Sequence, residues 1–178
     1  MKIAVLNDTH CGIRNSSDVF LNNAADFYEN IFFPYCKEHD IKQIIHLGDY
    51  YDNRKFINFR ALNHNRKHFL SHLRDYGMSM DIIPGNHDVY FKNTNELCSL
   101  KELLGYFTSN VNIIMKPKVL DYAGCGVAAI PWINNSNYAE YTKFLKNCMA
   151  FILGCCLCRE SIIDQDVSVE PSSIKITS

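Results

Sequence analysis

Along the first half of the chain, short apolar runs alternate with longer stretches in which apolar residues return every three or four positions. Residues 2–7 are an apolar, β-forming run and predict a buried strand. From 18 to 38, Phe20, Leu21, Ala24, Phe27, Tyr28, Ile31 and Phe32 follow helical spacing, with Ser16, Ser17 or Asp18 as the cap. A second strand, 43–47, ends at Gly48-Asp49. A second helix, 56–74, runs through Phe59, Leu62, Phe69, Leu70 and Leu73, with Gly77 as its stop signal. A third strand, 80–83, closes at Pro84-Gly85. This β-α-β-α-β rhythm predicts a parallel sheet with crossover helices, an α/β fold.

After a short helix at 96–104 the rhythm changes. Strands at 111–115, 119–122 and 127–130, punctuated by Pro117 and Gly124, predict a meander or a sheet edge. Residues 138–146 predict a helix and 150–153 a last strand. From about Cys155 the pattern stops: 159–178 carries no sustained period and no aromatic residue, and a poorly ordered terminus is expected there.

Composition narrows the function classes. The 178 residues, 47% hydrophobic, are enough for one compact core. With 18 Lys+Arg against 19 Asp+Glu, the net charge of -1 excludes a basic tail protein. Any nucleic-acid contact must then come from a local patch. No apolar run reaches the roughly 18–20 residues of a membrane span, and the run from Met1 to Leu6 stops at Asn7-Asp8 before a signal peptide can form. A cytoplasmic location is the expectation. Of the eight cysteines four are scattered and four crowd near the end, the crowded set without a later histidine, and all are read as reduced thiols.

Three motifs carry chemistry, each at the C-terminal end of a predicted parallel strand. They are Asp8-Thr9-His10, Gly48-Asp49-Tyr50-Tyr51-Asp52 and Gly85-Asn86-His87-Asp88. In open α/β sheets that rim is where sites assemble. Asp8, Asp49 and the Asn86 amide offer hard oxygens beside an imidazole, a donor set for Mn²⁺, Fe²⁺ or Zn²⁺ rather than Ca²⁺. Alternation along the strand end would point Asp8 and His10 to one side, and Gly48 and Gly85 would let the backbone turn sharply. Any one of these aspartates alone could be a helix cap. Three in order, each on a strand end, point to a site.

The series D-x-H, G-D-x-x-D, G-N-H-D resembles the calcineurin-like metallophosphoesterases. GDYYDNRK, IPGNHDVYFKN and Ile130-Pro131-Trp132 resemble one branch, the SbcD-type nucleases and the small subunits of T-even phage recombination endonucleases. The resemblance runs to about residue 153. It implies an α-β-β-α sandwich whose second sheet is incomplete here, residues 1–154 forming the N-terminal part of the domain and 155–178 an atypical Cys-containing tail. It also implies a metal-dependent DNA nuclease subunit for recombination and repair, hydrolysing phosphodiesters with two divalent ions, Mn²⁺ foremost. Asp8 and His10 would hold one ion, Asp49 would bridge both and Asn86 would bind the second. His87 would be the general acid or transition-state stabiliser, oriented by Asp88. Asp52 stands where many of these nucleases carry a second active-site histidine. DNA and an SMC-like ATPase are the implied partners. The alternatives are a phosphoesterase for a small phosphoester, and a non-catalytic remnant that binds DNA or a partner.

Residues 54–74 add six basic residues, three histidines and no acid. Arg54, Lys55 and Arg60, next to the Asp49 motif, could track a phosphate backbone, although a solvated helix face would look the same. His64, His68 and His72 fall on one helical face and, with His39 and His46, are read as surface or boundary residues. The resembled family completes its metal site with three later histidines, in G-H and G-H-x-H motifs. No histidine follows His87, and Cys155 stands after the strand that would lead into G-H. A weakly held second ion is therefore expected, from a chain either read out of frame after about 154 or catalytically silent. The exposed sheet edge and the apolar stretch 149–157 predict self-association.

Overall fold

A computed structural model of the chain describes residues 1–105 and 109–148, and the backbone of 151–154. The expectations for 155–178, and for the side chains of 149–157, lie outside the described residues. Four strands, β1 (Ile3–Leu6), β2 (Gln43–His46), β3 (Ser79–Ile82) and β4 (Val111–Ile113), form a parallel sheet in the order β1-β2-β3-β4. Three more, β5 (Lys118–Tyr122), β6 (Cys125–Ile130) and β7 (Phe151–Gly154), form a second sheet, β5 antiparallel and β7 parallel to β6. The segment 111–115 was expected in a meander with the strands after it. It instead closes one edge of the first sheet, paired with β3.

Period-two alternation sorts the strand residues into layers. Ile44, Met80 and Ile82 pack with Phe33, Phe69 and Leu73 of the helices. Ile45 and Ile83 face the other way and meet Tyr122, Val127 and Ala129 of the second sheet. On β6 the neighbours Ala128 and Ile130 point outward against Tyr141. The layers thus run helix, sheet, sheet, helix, the α-β-β-α sandwich expected.

The outer helices are α1 (residues 18–38), α2 (59–75), α3 (Ser99–Leu104) and α4 (Tyr138–Lys146). In α1 the turn Tyr28–Phe32 is a π-turn, just ahead of Pro34, which has no N–H for the helical ladder. A second π-turn, Arg66–Leu70, interrupts α2. This helix starts at Phe59, later than expected, because the Asn58 side chain caps it by accepting from Arg60 N at 2.8 Å. The described cysteines, Cys11, Cys36, Cys98, Cys125 and Cys148, are free thiols. Among the described residues no helix is long and apolar enough to cross a membrane.

Candidate metal centre

The loops that leave β1, β2 and β3 carry the three motifs, and main-chain hydrogen bonds tie them together. Asp8 N donates to Gly48 O at 3.2 Å, His10 N to Asp49 O at 3.0 Å and Cys11 N to Tyr50 O at 2.8 Å. Two glycines lock the second and third loops face to face. A Cβ on Gly48, at φ 100°, would lie 2.5 Å from Gly85 N, and one on Gly85 would meet the Asp49 side chain. Gly48 supplies a left-handed turn; Gly85 is required for close approach instead.

Asp8 (φ 52°), His10 (φ 40°) and Asp49 (φ 52°) are all left-handed. The expected alternation of Asp8 and His10 along an extended strand end is therefore not what aligns them. The chain has already left β geometry, and the left-handed backbone turns each side chain to the common point. One donor atom from each of Asp8, His10 and Asp49 lies within 4.8 Å of the others, and the same holds for His10, Asp52 and His87. The two trios share His10, whose Nε2 lies 3.7 Å from Asp8 Oδ1 and whose Nδ1 lies 3.5 Å from Asp52 Oδ1.

The remaining motif residues frame these trios. His87 N donates to Asp49 Oδ1 at 2.8 Å, and its ring Nδ1 donates to the Asp52 carbonyl at 2.7 Å. The His10 and His87 rings meet edge to face, centroids 4.8 Å apart. Asp88 does not orient His87 as expected. Wholly buried, it accepts from Gly85 N at 2.9 Å, Tyr50 N at 3.0 Å and Tyr51 N at 3.2 Å, bolting the second and third loops together. Burial pushes its pKa up to about 7, against those three N–H donors and with the help of the Asp49 charge.

One residue with a part in this frame went unrecognised in the sequence. His46, fully buried at the end of β2, accepts from Gly48 N through Nδ1 at 3.2 Å, so its Nε2–H faces Thr9 Oγ1 at 3.1 Å. Thr9 in turn donates to the Tyr50 carbonyl at 3.2 Å. Burial, then the nearby His10, lowers the His46 pKa to about 3, and the ring stays neutral. A lone histidine in an otherwise apolar strand was the available signal. Of the basic residues, Arg54 Nη2 faces the Asn86 amide at 3.0 Å, and Lys55 Nζ sits 5.6 Å from the Tyr90 ring centroid. Arg60 is engaged within the fold, by Asp18 at 3.1 Å and by the Ser16 carbonyl.

The family model for calcineurin-like phosphoesterases matches residues 1–144. The chain belongs to that family. It is 31% identical over 150 residues to exonuclease subunit 1 of Enterobacteria phage T4, covering 84% of this chain and 43% of that protein. The chain thus spans less than half the length of this relative. It is also similar to a solved structure of a protein of unknown function from Aquifex aeolicus, at 18% identity and a TM-score of 0.40, over 89% of this chain and 84% of that one.

Calcineurin-like phosphoesterases use divalent metals, and this chain's residues fit one. His10 Nε2 lies on the side of Asp8, 3.7 Å from its Oδ1. One end of the Asn86 amide lies 3.0 Å from Asp49 Oδ2 and 3.3 Å from Oδ1. With nitrogen at that end it donates to the carboxylate; with oxygen there, three oxygens face one another, an arrangement a cation among them makes favourable. Carboxylate oxygens, an amide and an imidazole are the donors that hard or borderline divalent ions take.

Proposed function

We propose that this chain is the metal-binding core of a DNA nuclease subunit that hydrolyses phosphodiesters in recombination and repair. The convergence of Asp8, His10 and Asp49 from separate strand ends, within 4.8 Å, carries the reading. These three and Asn86 hold two divalent ions, with Mn²⁺ the best match to an oxygen-rich set. A divalent cation, when bound, lowers the pKa of water and withdraws charge from the phosphoryl oxygens. Asp49 carries two duties, since its Oδ1 also holds the His87 main chain at 2.8 Å. His87 has its Nδ1–H committed to the Asp52 carbonyl, so in the doubly protonated ring Nε2–H would be the group that delivers a proton to the leaving oxygen. Asp88 and His46 are positioning residues that keep the three loops in register.

The phage relative is a subunit of an exonuclease, which supports a nucleic-acid substrate and a multi-subunit assembly. An SMC-like ATPase is the partner proposed, and Arg54 and Lys55 the first contacts for the DNA backbone. Incubation of the chain with end-labelled DNA and Mn²⁺, with and without Asp49→Ala and His87→Ala, tests the reading. Metal-dependent cleavage lost in both variants supports it. Cleavage unchanged in either variant overturns the assignment, and turnover of a small phosphodiester but not DNA would reassign the substrate.

Cys155, standing where the resembled family carries the histidine of its G-H motif, favours a second reading, a metal-binding but non-catalytic subunit. DNA retention without cleavage, insensitive to both substitutions, is its signature.

A further inference from the structure

The trio of His10, Asp52 and His87 is not explained by the oxygen-rich site beside it. We propose that these three residues form a second, nitrogen-rich site for a borderline divalent ion such as Zn²⁺, which competes with Asp8 and Asp49 for His10. The inference rests on the proposed function only through the shared His10 and through the proton-donor role given to His87.

Three observations support it. One donor atom from each member of the trio lies within 4.8 Å of the other two. The His87 ring donates Nδ1–H to a main-chain carbonyl at 2.7 Å, which leaves the Nε2 lone pair available. A ring N–H tied to a carbonyl is the usual outer support of a metal-bound imidazole. The third is His10 Nδ1, which is buried, lacks a hydrogen-bond partner and lies 3.5 Å from Asp52 Oδ1. Two imidazoles and one carboxylate suit Zn²⁺, Co²⁺ or Fe²⁺, whereas the Asp8 and Asp49 side is richer in oxygen and suits Mn²⁺.

Competition follows from the chemistry of a neutral imidazole. It carries one lone pair and one N–H, so His10 can ligate through Nδ1 toward Asp52 or through Nε2 toward Asp8, not both. A zinc ion in the trio therefore removes a ligand from the Mn²⁺ side. It also occupies the His87 Nε2 that the proposed reaction needs, so zinc acts as an inhibitor.

The test reads ring nitrogens directly. In long-range ¹H–¹⁵N spectra of the full-length labelled chain, ZnCl₂ should shift His10 Nδ1 and His87 Nε2. Zinc taken up by the tail cysteines does not register at these atoms. Asp52→Asn should raise the zinc concentration needed by about 10-fold or more, and Asp52→Glu should restore part of it. An amide spectrum matching the parent shows that each variant is folded. Asp49→Asn should leave the zinc response in place while weakening Mn²⁺ binding measured by calorimetry. Zinc ligation at His10 Nε2 with the ring proton left on Nδ1, or a response indifferent to Asp52→Asn, overturns the inference. Mn²⁺ affinity indifferent to Asp49→Asn would instead overturn the proposed function, so the two failures are distinct.

Discussion

Two regions of the molecule bring imidazoles together, and they do so by opposite means. At the rim of the first sheet, His10 and His87 arrive from different strand ends on a backbone cross-tied by hydrogen bonds. On the outer face of α2, His64 and His68 are neighbours by helical repetition alone, ring centroids 4.2 Å apart. There a single carboxylate joins them: Glu29 Oε1, 2.6 Å from His68 Nδ1, a bond that lowers the Glu29 pKa. His72 does not continue the row, because the π-turn lies between and His72 stacks on Phe33 at 5.1 Å. Among the described residues, trios of donors within 4.8 Å form at the rim and not on the helix. Ring proximity alone does not assemble a donor trio; several acceptors converging on a constrained backbone do.

The sharpest way to break this contrast is to remove the acceptor that both rim loops depend on. Asp49→Ala should weaken Mn²⁺ binding, read by calorimetry, by more than the roughly 10–100-fold that losing an outer support costs. Retained affinity would mean that the rim does not hold the ion. Next in size is Gly85→Ala, whose Cβ has no room beside Asp49. It should cost about 1–3 kcal/mol in urea unfolding, as overpacking does, and a parent-like midpoint would deny the close approach of the two loops.

The buried, neutral His46 gives a pH signature. Its pKa falls from 6.5 to about 3 on folding, so between those values the unfolded chain binds the extra proton. Its contribution is present above 6.5 and is lost as pH falls toward 3, by at most about 1.4 kcal/mol per pH unit. Unfolding midpoints measured across that range should show a shallower acid loss in His46→Gln than in the parent. The smallest effect belongs to the helix pair. His64→Gln with His68→Gln should change stability by no more than about 0.5 kcal/mol and leave Mn²⁺ affinity unaltered; a loss of affinity would mean that the helix pair matters to the rim.

Much of this architecture was legible because burial repeats with the period of each element. The strands 43–47 and 80–83 and the helix 138–146 were placed within a residue or so by that rule. The partner of 111–115 was not, since local pattern carries no information on which edge a short strand will join. The π-turns at Tyr28–Phe32 and Arg66–Leu70 were hidden as well. An added residue rotates the apolar face by about one position, so that Phe33 is buried and Ile31 exposed although Ile31 and Phe32 were the residues at helical spacing. The residue types of the rim were readable from Asp-x-His, Gly-Asp and Gly-Asn-His-Asp. Their division of labour was not. That Asp88 binds backbone while Asp52 faces His10 depends on which loop stacks on which, a tertiary fact.

The left-handed backbone at Asp8, His10 and Asp49 sets selection for robustness against selection for metal. Each non-glycine residue held in that region costs of order 1–3 kcal/mol, and glycine at the same place would relieve it. A library of this chain screened only for heat resistance should therefore accumulate glycines at these three positions. Its most durable members would be those least able to hold an ion.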